Sequence, residues 1–217
     1  MCILLGTNPL TKEVPLIQTI KATMLVCTLS SSPAESSSDK IAHDIGTSLE
    51  EYGVESTYIR LADFNVKPGV EVDMGNGDEW PSIRQQILDS DILIISTPTW
   101  VGHMSSLAQR ALERLDAEIS IEDDEGRPGM FGKVTNVTIV GNEDGAHKIS
   151  GDIFQALNDI GFSLPANAVT YWNDEAMGSR EYKDLNEIPE TVSNTTSTLA
   201  KNLHHIAVLL KNNQYPA

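Results

Sequence analysis

A short apolar run near the middle of the chain constrains the fold more than any other feature. Four consecutive apolar residues, Ile92 to Ile95, follow an aspartate and precede Thr97-Pro98. A run of this length without polar alternation is typical of a central parallel strand, because helices cover both faces of such a strand. Proline cannot donate a backbone hydrogen bond, so we expect the strand to end at Pro98. A loop that exposes Trp100 and Gly102 should then follow.

Strand and helix patterns alternate along the rest of the chain. Besides the central run, strand patterns occupy residues 22–29, 54–61, 133–140 and 168–172. The five strands are followed in turn by helical patterns with one apolar face, over residues 41–49, 80–88, 107–115, 149–160 and 189–211. This order predicts an α/β fold, a doubly wound five-stranded parallel sheet with helices on both faces. With the strand order 2-1-3-4-5, the loops after strands one, three and four would share the switch-point edge.

The length and charge of the chain limit the classes of function. At 217 residues it lies within the single-domain range, and we expect one domain over residues 20–217. Residues 1–19 show no strong period and contain two prolines, so we expect a loosely attached N-terminal extension there. The formal net charge of −16 and the lack of a basic run argue against nucleic acid and anionic membranes as partners.

The two cysteines, Cys2 and Cys27, are too few for a disulfide framework. The sequence has no C-x-x-C motif, so zinc ribbons and iron–sulfur clusters lack ligands, and we expect no metal. We interpret Cys27 as a small core residue of the first strand. The first residues make a poor signal peptide, and no apolar run reaches the ~18–20 residues of a membrane span. The expected location is therefore the cytoplasm.

A serine-rich segment follows the first strand. From Thr28 to Asp39 it carries seven hydroxyl residues in twelve positions and contains neither lysine nor arginine. Ser36, Ser37 or Ser38 can cap the helix that comes next. Hydroxyls and unpaired N–H groups at a helix N-terminus can bind a phosphate without a cation, which fits a terminal monophosphate better than a triphosphate. A plain polar loop with a good N-cap is the competing interpretation.

Two further loops follow the third and fourth strands. The hydroxyl, indole and glycine of Thr99, Trp100 and Gly102 suit the floor of a flat ring system, although an ordinary turn with a packed tryptophan explains them equally well. Gly141 and Gly145 bracket three polar residues, and glycine lets a ligand approach the backbone closely or lets the backbone adopt positive φ. The sequence contains no dinucleotide or P-loop fingerprint.

Several segments of the chain together match the pattern of one family. They are Cys27-Thr28-Leu29 with the serine-rich segment, Thr97-Pro98-Thr99-Trp100-Val101-Gly102, Val140-Gly141-Asn142-Glu143-Asp144-Gly145-Ala146-His147, Gln155-Ala156-Leu157-Asn158-Asp159-Ile160-Gly161-Phe162, Tyr171-Trp172, Glu175-Ala176-Met177-Gly178-Ser179 and Tyr182-Lys183-Asp184-Leu185. Over about residues 20–215 the chain resembles the flavodoxin-like, NAD(P)H-dependent FMN reductase family. The resemblance implies a flavodoxin-like fold and a bound FMN cofactor.

The resemblance also implies where FMN would lie. Its phosphate would be held by five serines, Ser30, Ser32, Ser36, Ser37 and Ser38. One side of its isoalloxazine ring would be lined by Pro98, Thr99, Trp100, Val101 and Gly102. The other side would be lined by Asn142, Glu143, Asp144, Gly145 and His147. Glu143 and His147 could tune or protonate the flavin edge, but we expect both to cap the helix that follows.

The activity implied by the resemblance is that of an FMN-dependent oxidoreductase. Such an enzyme takes hydride from NAD(P)H and passes electrons to a flavin, quinone or similar small-molecule acceptor, and the flavin rather than a catalytic side chain carries the chemistry. Two alternatives stay open, namely a flavodoxin-type electron carrier without a nicotinamide site and a non-catalytic flavin-binding protein. An acidic surface would suit a carrier that docks to basic redox partners. The family leaves a homodimer open as well.

Overall fold

The computed structural model describes residues 19–216, so the predicted extension lies almost entirely outside the described residues. The strands are β1 (Lys21–Val26), β2 (Glu55–Arg60), β3 (Ile92–Trp100), β4 (His103–Met104), β5 (Val134–Gly141) and β6 (Val169–Asn173). The α-helices are α1 (Ser37–Glu50), α2 (Trp80–Leu88), α3 (Ser106–Leu115), α4 (Ala146–Ile160) and α5 (Glu190–Asn212). Three short 3₁₀ helices cover Leu61–Asp63, Asp116–Ser120 and Tyr182–Asp184.

The five long strands form one parallel sheet in the order β2-β1-β3-β5-β6. Counted without the two-residue strand β4, this is the predicted order 2-1-3-4-5, so the flavodoxin-like doubly wound fold is confirmed. In the centre of the sheet, Ile94 of β3 lies between Met24 of β1 and Asn136 of β5. The strand β4, which sequence patterns did not predict, pairs antiparallel with the end of β3.

The expected end of the central strand at Pro98 is wrong. Pro98 lies opposite Val140 of β5, and β3 continues to Trp100. Pairing between β1 and β3 ends at Val26 and Ser96, and the next carbonyl, that of Cys27, accepts the Ser105 hydroxyl at 2.6 Å, so no strand partner needs the missing N–H of Pro98. The space that β1 leaves is taken by β4, which turns the end of β3 into a short hairpin.

The central run is buried on both sides, which explains why it lacks polar alternation. Leu93 and Ile95 pack in a cluster with residues of α2, α3 and α4. Ile92 and Ile94 pack in a second cluster with residues of α1 and α5. Fully burying one such side chain stabilises the folded state by about 1.5–3 kcal/mol, so the run anchors both helical layers at once.

A buried arginine anchors the long loop between β2 and α2. The Arg114 guanidinium is fully buried and pairs with the equally buried Asp78 at 2.7 Å. It also donates to the carbonyls of Lys67 and Glu71 at 3.0 and 2.8 Å. Buried charges need such partners, so this loop is tied to α3 rather than lying loosely on the surface.

Within residues 19–216, no helix combines the length and the apolar character that crossing a bilayer would require.

Candidate functional site

A cleft of about 370 Å³ opens at the carboxyl edge of the sheet. It lies where α1 and α3 leave β1 and β3 toward opposite faces, which is the switch point of a doubly wound sheet. Its walls come from the loop after β1, the end of β3, the loop after β5 and the segment after β6. The residues around it are Thr28, Leu29, Ser30, Glu35, Ser36, Ser37, Ser38, Pro98, Thr99, Trp100, Val140, Gly141, Asn142, Trp172, Arg180, Glu181, Tyr182 and Lys183.

Four of the five predicted serines lie at the cleft, namely Ser30, Ser36, Ser37 and Ser38. Ser36 is the N-cap of α1, and its hydroxyl accepts the Asp39 N–H at 3.4 Å. Ser38 is buried, and its carbonyl accepts the Ser96 hydroxyl at 2.6 Å, which fixes the start of α1 over β3. The cleft therefore contains a helix N-terminus surrounded by hydroxyl groups, the arrangement that binds phosphate groups in proteins.

The fifth serine, Ser32, lies outside the cleft. Its N–H and its hydroxyl donate to the two carboxylate oxygens of Asp63 at 2.7 and 2.6 Å. These hydrogen bonds hold the pKa of the Asp63 carboxyl below its usual range. Ser32 therefore shapes the serine-rich loop by tying it to the 3₁₀ helix after β2, and its expected direct contact with a phosphate does not agree with this placement.

Three of the five residues predicted at the end of β3 lie at the cleft, namely Pro98, Thr99 and Trp100. The Trp100 indole is 54% exposed at the rim. The Thr99 hydroxyl is buried and has no hydrogen-bond partner within residues 19–216. Burying a hydroxyl without a partner costs free energy, so a polar atom on a ligand would satisfy this group.

Val101 and Gly102 form the turn between β3 and β4 and lie beyond the cleft. Both have positive φ, 53° and 71°. Their N–H groups donate to the two carboxylate oxygens of Glu143 at 2.9 and 3.1 Å. The sequence led us to expect that Glu143 caps α4, and this expectation is wrong because its carboxylate binds the turn instead. The N-cap of that helix is Gly145, which has no side-chain cap.

The loop after β5 meets the cleft at Gly141 and Asn142. A Cβ atom on Gly141 would lie 2.9 Å from the Thr99 Cβ, and one on Gly145 would lie 3.0 Å from the Gly102 Cα. Both glycines are therefore needed for the close approach of this loop to the end of β3. Asp144 accepts the Gly145 N–H at 2.7 Å and lies outside the cleft.

His147 also lies outside the cleft, on the exposed first turn of α4. Its ring packs edge-on against Tyr171 with centroids 5.5 Å apart, and its Nε2 lies 3.4 Å from the Tyr171 hydroxyl. We expected His147 to cap α4, but these contacts explain its position without a capping hydrogen bond and without a contact to the cleft.

The segment after β6 supplies a wall of the cleft that the sequence did not reveal. Lys183 donates its N–H to the Ser37 hydroxyl at 3.2 Å. Lys40 of α1 donates from its Nζ to the carbonyls of Tyr182 and Leu185 at 3.1 and 2.8 Å. The sequence signals were the presence of Arg180 and Lys183 in an otherwise acidic and polar loop and the family-like segment Tyr182-Lys183-Asp184-Leu185, which did not indicate a contact with the serines.

Tyr182 is fully buried and joins this wall to α1. Its hydroxyl donates to the Asp44 carboxylate at 2.7 Å, and its ring packs edge-on against Trp172. Burial raises the pKa of the Tyr182 hydroxyl, and the hydrogen bond to Asp44 raises it further. Burial also raises the pKa of Asp44, against the lowering effect of this hydrogen bond. The tyrosine is therefore a neutral donor in the wall.

Two ion pairs lie in the wall that the segment after β6 supplies. Arg180 binds both carboxylate oxygens of Asp174, at 2.7 and 2.6 Å. Lys183 pairs with Glu181 at 3.2 Å. The bond to Arg180 keeps the pKa of Asp174 below its usual range, so this carboxylate is ionised at neutral pH. The wall thus holds two cations, each beside an anion.

The donor set fits a planar ligand that carries a phosphate. Hydroxyls and a helix N-terminus lie at one end of the cleft, and an exposed indole with an unpaired buried hydroxyl lies at the other. FMN combines a phosphate with a flat, polar ring, so the residues present fit it. Within residues 19–216, no three His, Cys, Asp or Glu side chains gather in a way that could hold a metal ion.

Known proteins are similar to this chain, among them a curated relative and a solved structure. A protein of Streptomyces davaonensis named 8-demethyl-8-aminoriboflavin-5′-phosphate synthase is 28% identical over 214 residues, which cover 90% of this chain and 80% of that protein. The crystal structure of RosB with the bound intermediate 8-demethyl-8-formylriboflavin-5′-phosphate has a TM-score of 0.82 at 26% identity, covering 91% of this chain and 82% of RosB.

A third similarity is to a much longer protein. The divalent metal cation transporter MntH of Mycobacterium bovis is 30% identical over 204 residues, which cover 91% of this chain. The chain spans only 30% of that transporter's length.

A family model described as NADPH-dependent FMN reductase matches residues 24–176. The matched segment contains the serine-rich loop, the end of β3 and the loop after β5. The chain therefore belongs to the NADPH-dependent FMN reductase family, a family of flavoprotein oxidoreductases.

Proposed function

We propose that this protein is an FMN-dependent oxidoreductase that takes hydride from NAD(P)H and passes electrons to a flavin, quinone or similar small acceptor. The observation that carries the proposal is the shared cleft, in which the capped N-terminus of α1 and the exposed indole of Trp100 lie at the same sheet edge. Neither a phosphate cradle nor an aromatic rim alone would favour FMN over other phosphorylated ligands.

The serine end of the cleft would hold the phosphate of FMN. Ser30 and Ser36 to Ser38 offer hydroxyl donors, and the first turn of α1 adds N–H groups that have no acceptor within the helix. Ser32 would contribute indirectly, because its bonds to Asp63 hold the loop in shape.

The other end would hold the ring. Trp100 offers an exposed aromatic face, Thr99 offers an unpaired hydroxyl, and Asn142 lies on the neighbouring loop after β5. Glu143 would act indirectly, since it fixes the turn that follows Trp100. When bound, FMN supplies hydride acceptance and electron transfer, and the chain supplies position and electrostatics.

An anaerobic absorbance experiment tests this proposal. The purified protein would be mixed with FMN, freed of unbound flavin and then given NADPH or NADH. We expect flavin to be retained in near-stoichiometric amount and its absorbance to be bleached by one of the two nicotinamides. Bleaching by dithionite alone would contradict the proposal and favour the electron carrier. Acceptor would also be added repeatedly together with each nicotinamide. If the protein then retains all of its flavin and shows no turnover with NADPH or NADH, a non-catalytic flavin-binding protein is favoured.

A second candidate function is favoured by the similarity to RosB, whose bound intermediate is a modified riboflavin 5′-phosphate. In this alternative the cleft binds FMN as a substrate and not as a resident cofactor. The open rim around Trp100 would suit release of a modified flavin. Mass spectrometry of flavin extracted after incubation separates the two candidates. An unchanged FMN mass supports the reductase, and a new flavin mass supports the alternative.

A further inference from the structure

We propose that Arg180 is a phosphate-binding residue of the cleft and that it exchanges its ion pair with Asp174 for the phosphate of FMN. This inference rests on the proposed function, because it concerns the same cleft and the same ligand. It adds a cation to a site whose serine-rich loop has none.

The need for a cation follows from the charge of the protein. The formal net charge is −16, and Glu35 and Glu181 also line the cleft. A phosphate that approaches this surface is therefore repelled by the overall field. The N–H groups and hydroxyls of the serine end carry only partial charges, so a movable guanidinium beside them would offset the repulsion.

The placement of Arg180 agrees with this role. It lines the cleft, and the residues that follow it contact the serine-rich loop directly. Lys183 donates its N–H to Ser37, and the Ser37 hydroxyl lies 3.4 Å from a Glu181 carboxylate oxygen. Arg180 thus begins the stretch of chain that touches the serine end.

Other cations near the cleft are held more firmly. The Nζ of Lys40 donates to three backbone carbonyls, and Arg60 is 10% exposed while it bonds to Ala34 and Asp39. Lys183 is 27% exposed beside Glu181. The Arg180 side chain is 63% exposed, so most of its surface is in water. It is the cation best able to change partner among these four.

The exchange is favourable on general grounds. The exchange replaces one bidentate partner with another, because Asp174 offers Arg180 a single negative charge, whereas a phosphate monoester carries about −1.5 to −2 at neutral pH. A guanidinium binds phosphate oxygens through two parallel hydrogen bonds, which are among the strong ones in proteins. Asp174 is better fixed than its partner, because it is 13% exposed and its N–H donates to Gly141 at 3.0 Å. The arginine would therefore move, and the aspartate would stay.

The test compares FMN with riboflavin, which lacks the phosphate. Dissociation constants would be measured by flavin fluorescence for the full chain, for Arg180→Gln and for Asp174→Asn. We expect Arg180→Gln to weaken FMN binding about tenfold and to leave riboflavin binding unchanged. Asp174→Asn should tighten FMN binding severalfold, because it removes the competing anion. Arg127→Gln is the matched control, since Arg127 pairs with Asp123 at 2.8 Å in a loop outside the cleft.

The possible outcomes separate this inference from the proposed function. If the unaltered protein binds neither flavin, both fail. If it binds FMN and Arg180→Gln lowers the affinities for FMN and riboflavin equally, or lowers neither, the inference alone is overturned. Weaker FMN binding in Asp174→Asn would overturn the exchange. If Arg180→Gln keeps its FMN affinity but loses a preference for NADPH over NADH, Arg180 binds the phosphate of the nicotinamide, and its assignment to FMN is overturned.

Discussion

The carboxylate of Glu143 accepts the backbone N–H of Val101 at 2.9 Å, across the gap between the ends of β5 and β3. Val101 has φ of 53° and is 86% exposed, an unfavourable conformation for a β-branched residue that packs against little. Two-residue hairpin turns with positive φ at both positions favour Asn-Gly instead. The Gly102 N–H donates a second hydrogen bond to the same carboxylate and completes the restraint. Glu143 therefore holds a strained turn next to Trp100.

The first prediction concerns this restraint. Glu143→Ala should lower the free energy of unfolding by about 1 kcal/mol, because two N–H groups lose a charged acceptor. Val101→Asn should raise it by up to about 1 kcal/mol, since asparagine tolerates positive φ. In the double variant the cost of losing Glu143 should shrink by at least about 0.5 kcal/mol. Urea unfolding of all four proteins measures the coupling, and strictly additive effects would disprove it.

The second prediction concerns Gly145, the N-cap residue of α4. A Cβ on Gly145 would lie 3.0 Å from the Gly102 Cα, and Gly145 has φ of 153°. Gly145→Ala should therefore separate the two loops and lower the free energy of unfolding by about 1–3 kcal/mol. It should also weaken FMN binding, because Trp100 and Asn142 lie on these loops.

Gly151, inside α4, gives the matched control for Gly145. A Cβ there would meet nothing within 4 Å. Gly151→Ala should raise the free energy of unfolding by about 0.5–1 kcal/mol, since alanine favours the helix. Equal effects of the two substitutions would show that the loop contact at Gly145 is unimportant.

Local patterns were enough to predict the fold. The run Ile92–Ile95 fills both helical layers, and that requirement leaves a direct trace in the sequence. The serine-rich loop and the end of β3 were also predictable, because parallel strands bring their carboxyl ends to one edge. The continuation of β3 past Pro98 was not, since it depends on β1 having already ended.

The missed parts of the site depend on single long-range contacts. Lys183 and Ser37 are 146 residues apart in sequence, and no local pattern reports that they meet. Likewise, a carboxylate before a helix can cap that helix or bind the backbone of another turn, and the sequence around Glu143 is compatible with both. Ser32 looks like its neighbours in sequence and differs only because Asp63 reaches it. Tertiary geometry decided all three.

The third prediction is acid destabilisation through Asp78. Burial by itself raises the pKa of this carboxyl, but hydrogen bonds from the N–H groups of Met74 and Lys67 and from Arg114 outweigh it and lower the pKa from 3.8 to about 2. A lowered pKa in the folded state contributes stability above pH 4, and that contribution is lost as pH falls from about 4 to 2. We expect a loss of about 2 kcal/mol.

Urea unfolding between pH 7 and pH 2.5 measures the effect of Asp78. In Asp78→Asn this part of the pH dependence should disappear, and stability at pH 7 should fall by about 3–5 kcal/mol because Arg114 stays buried without its counter-ion. Asp123→Asn, in an exposed ion pair with Arg127, should change stability little. A pH dependence that persists in Asp78→Asn would refute the assignment.

The last prediction concerns Cys27, which lies directly before the serine-rich loop. Its side chain is fully buried, and burial raises the pKa of the thiol, so the reactive thiolate is scarce at neutral pH. Cys27 is therefore a core residue directly after β1, and we expect its thiol to be unreactive in the folded protein. In a Cys2→Ser variant, which leaves a single thiol, a disulfide reagent at pH 8 should not react with the folded protein. The same variant in urea should react fully, and its reaction rate should follow the unfolded fraction as urea increases. Rapid labelling of the folded variant would show that the thiol reaches the cleft, and the assignment of Cys27 to the core would then be wrong.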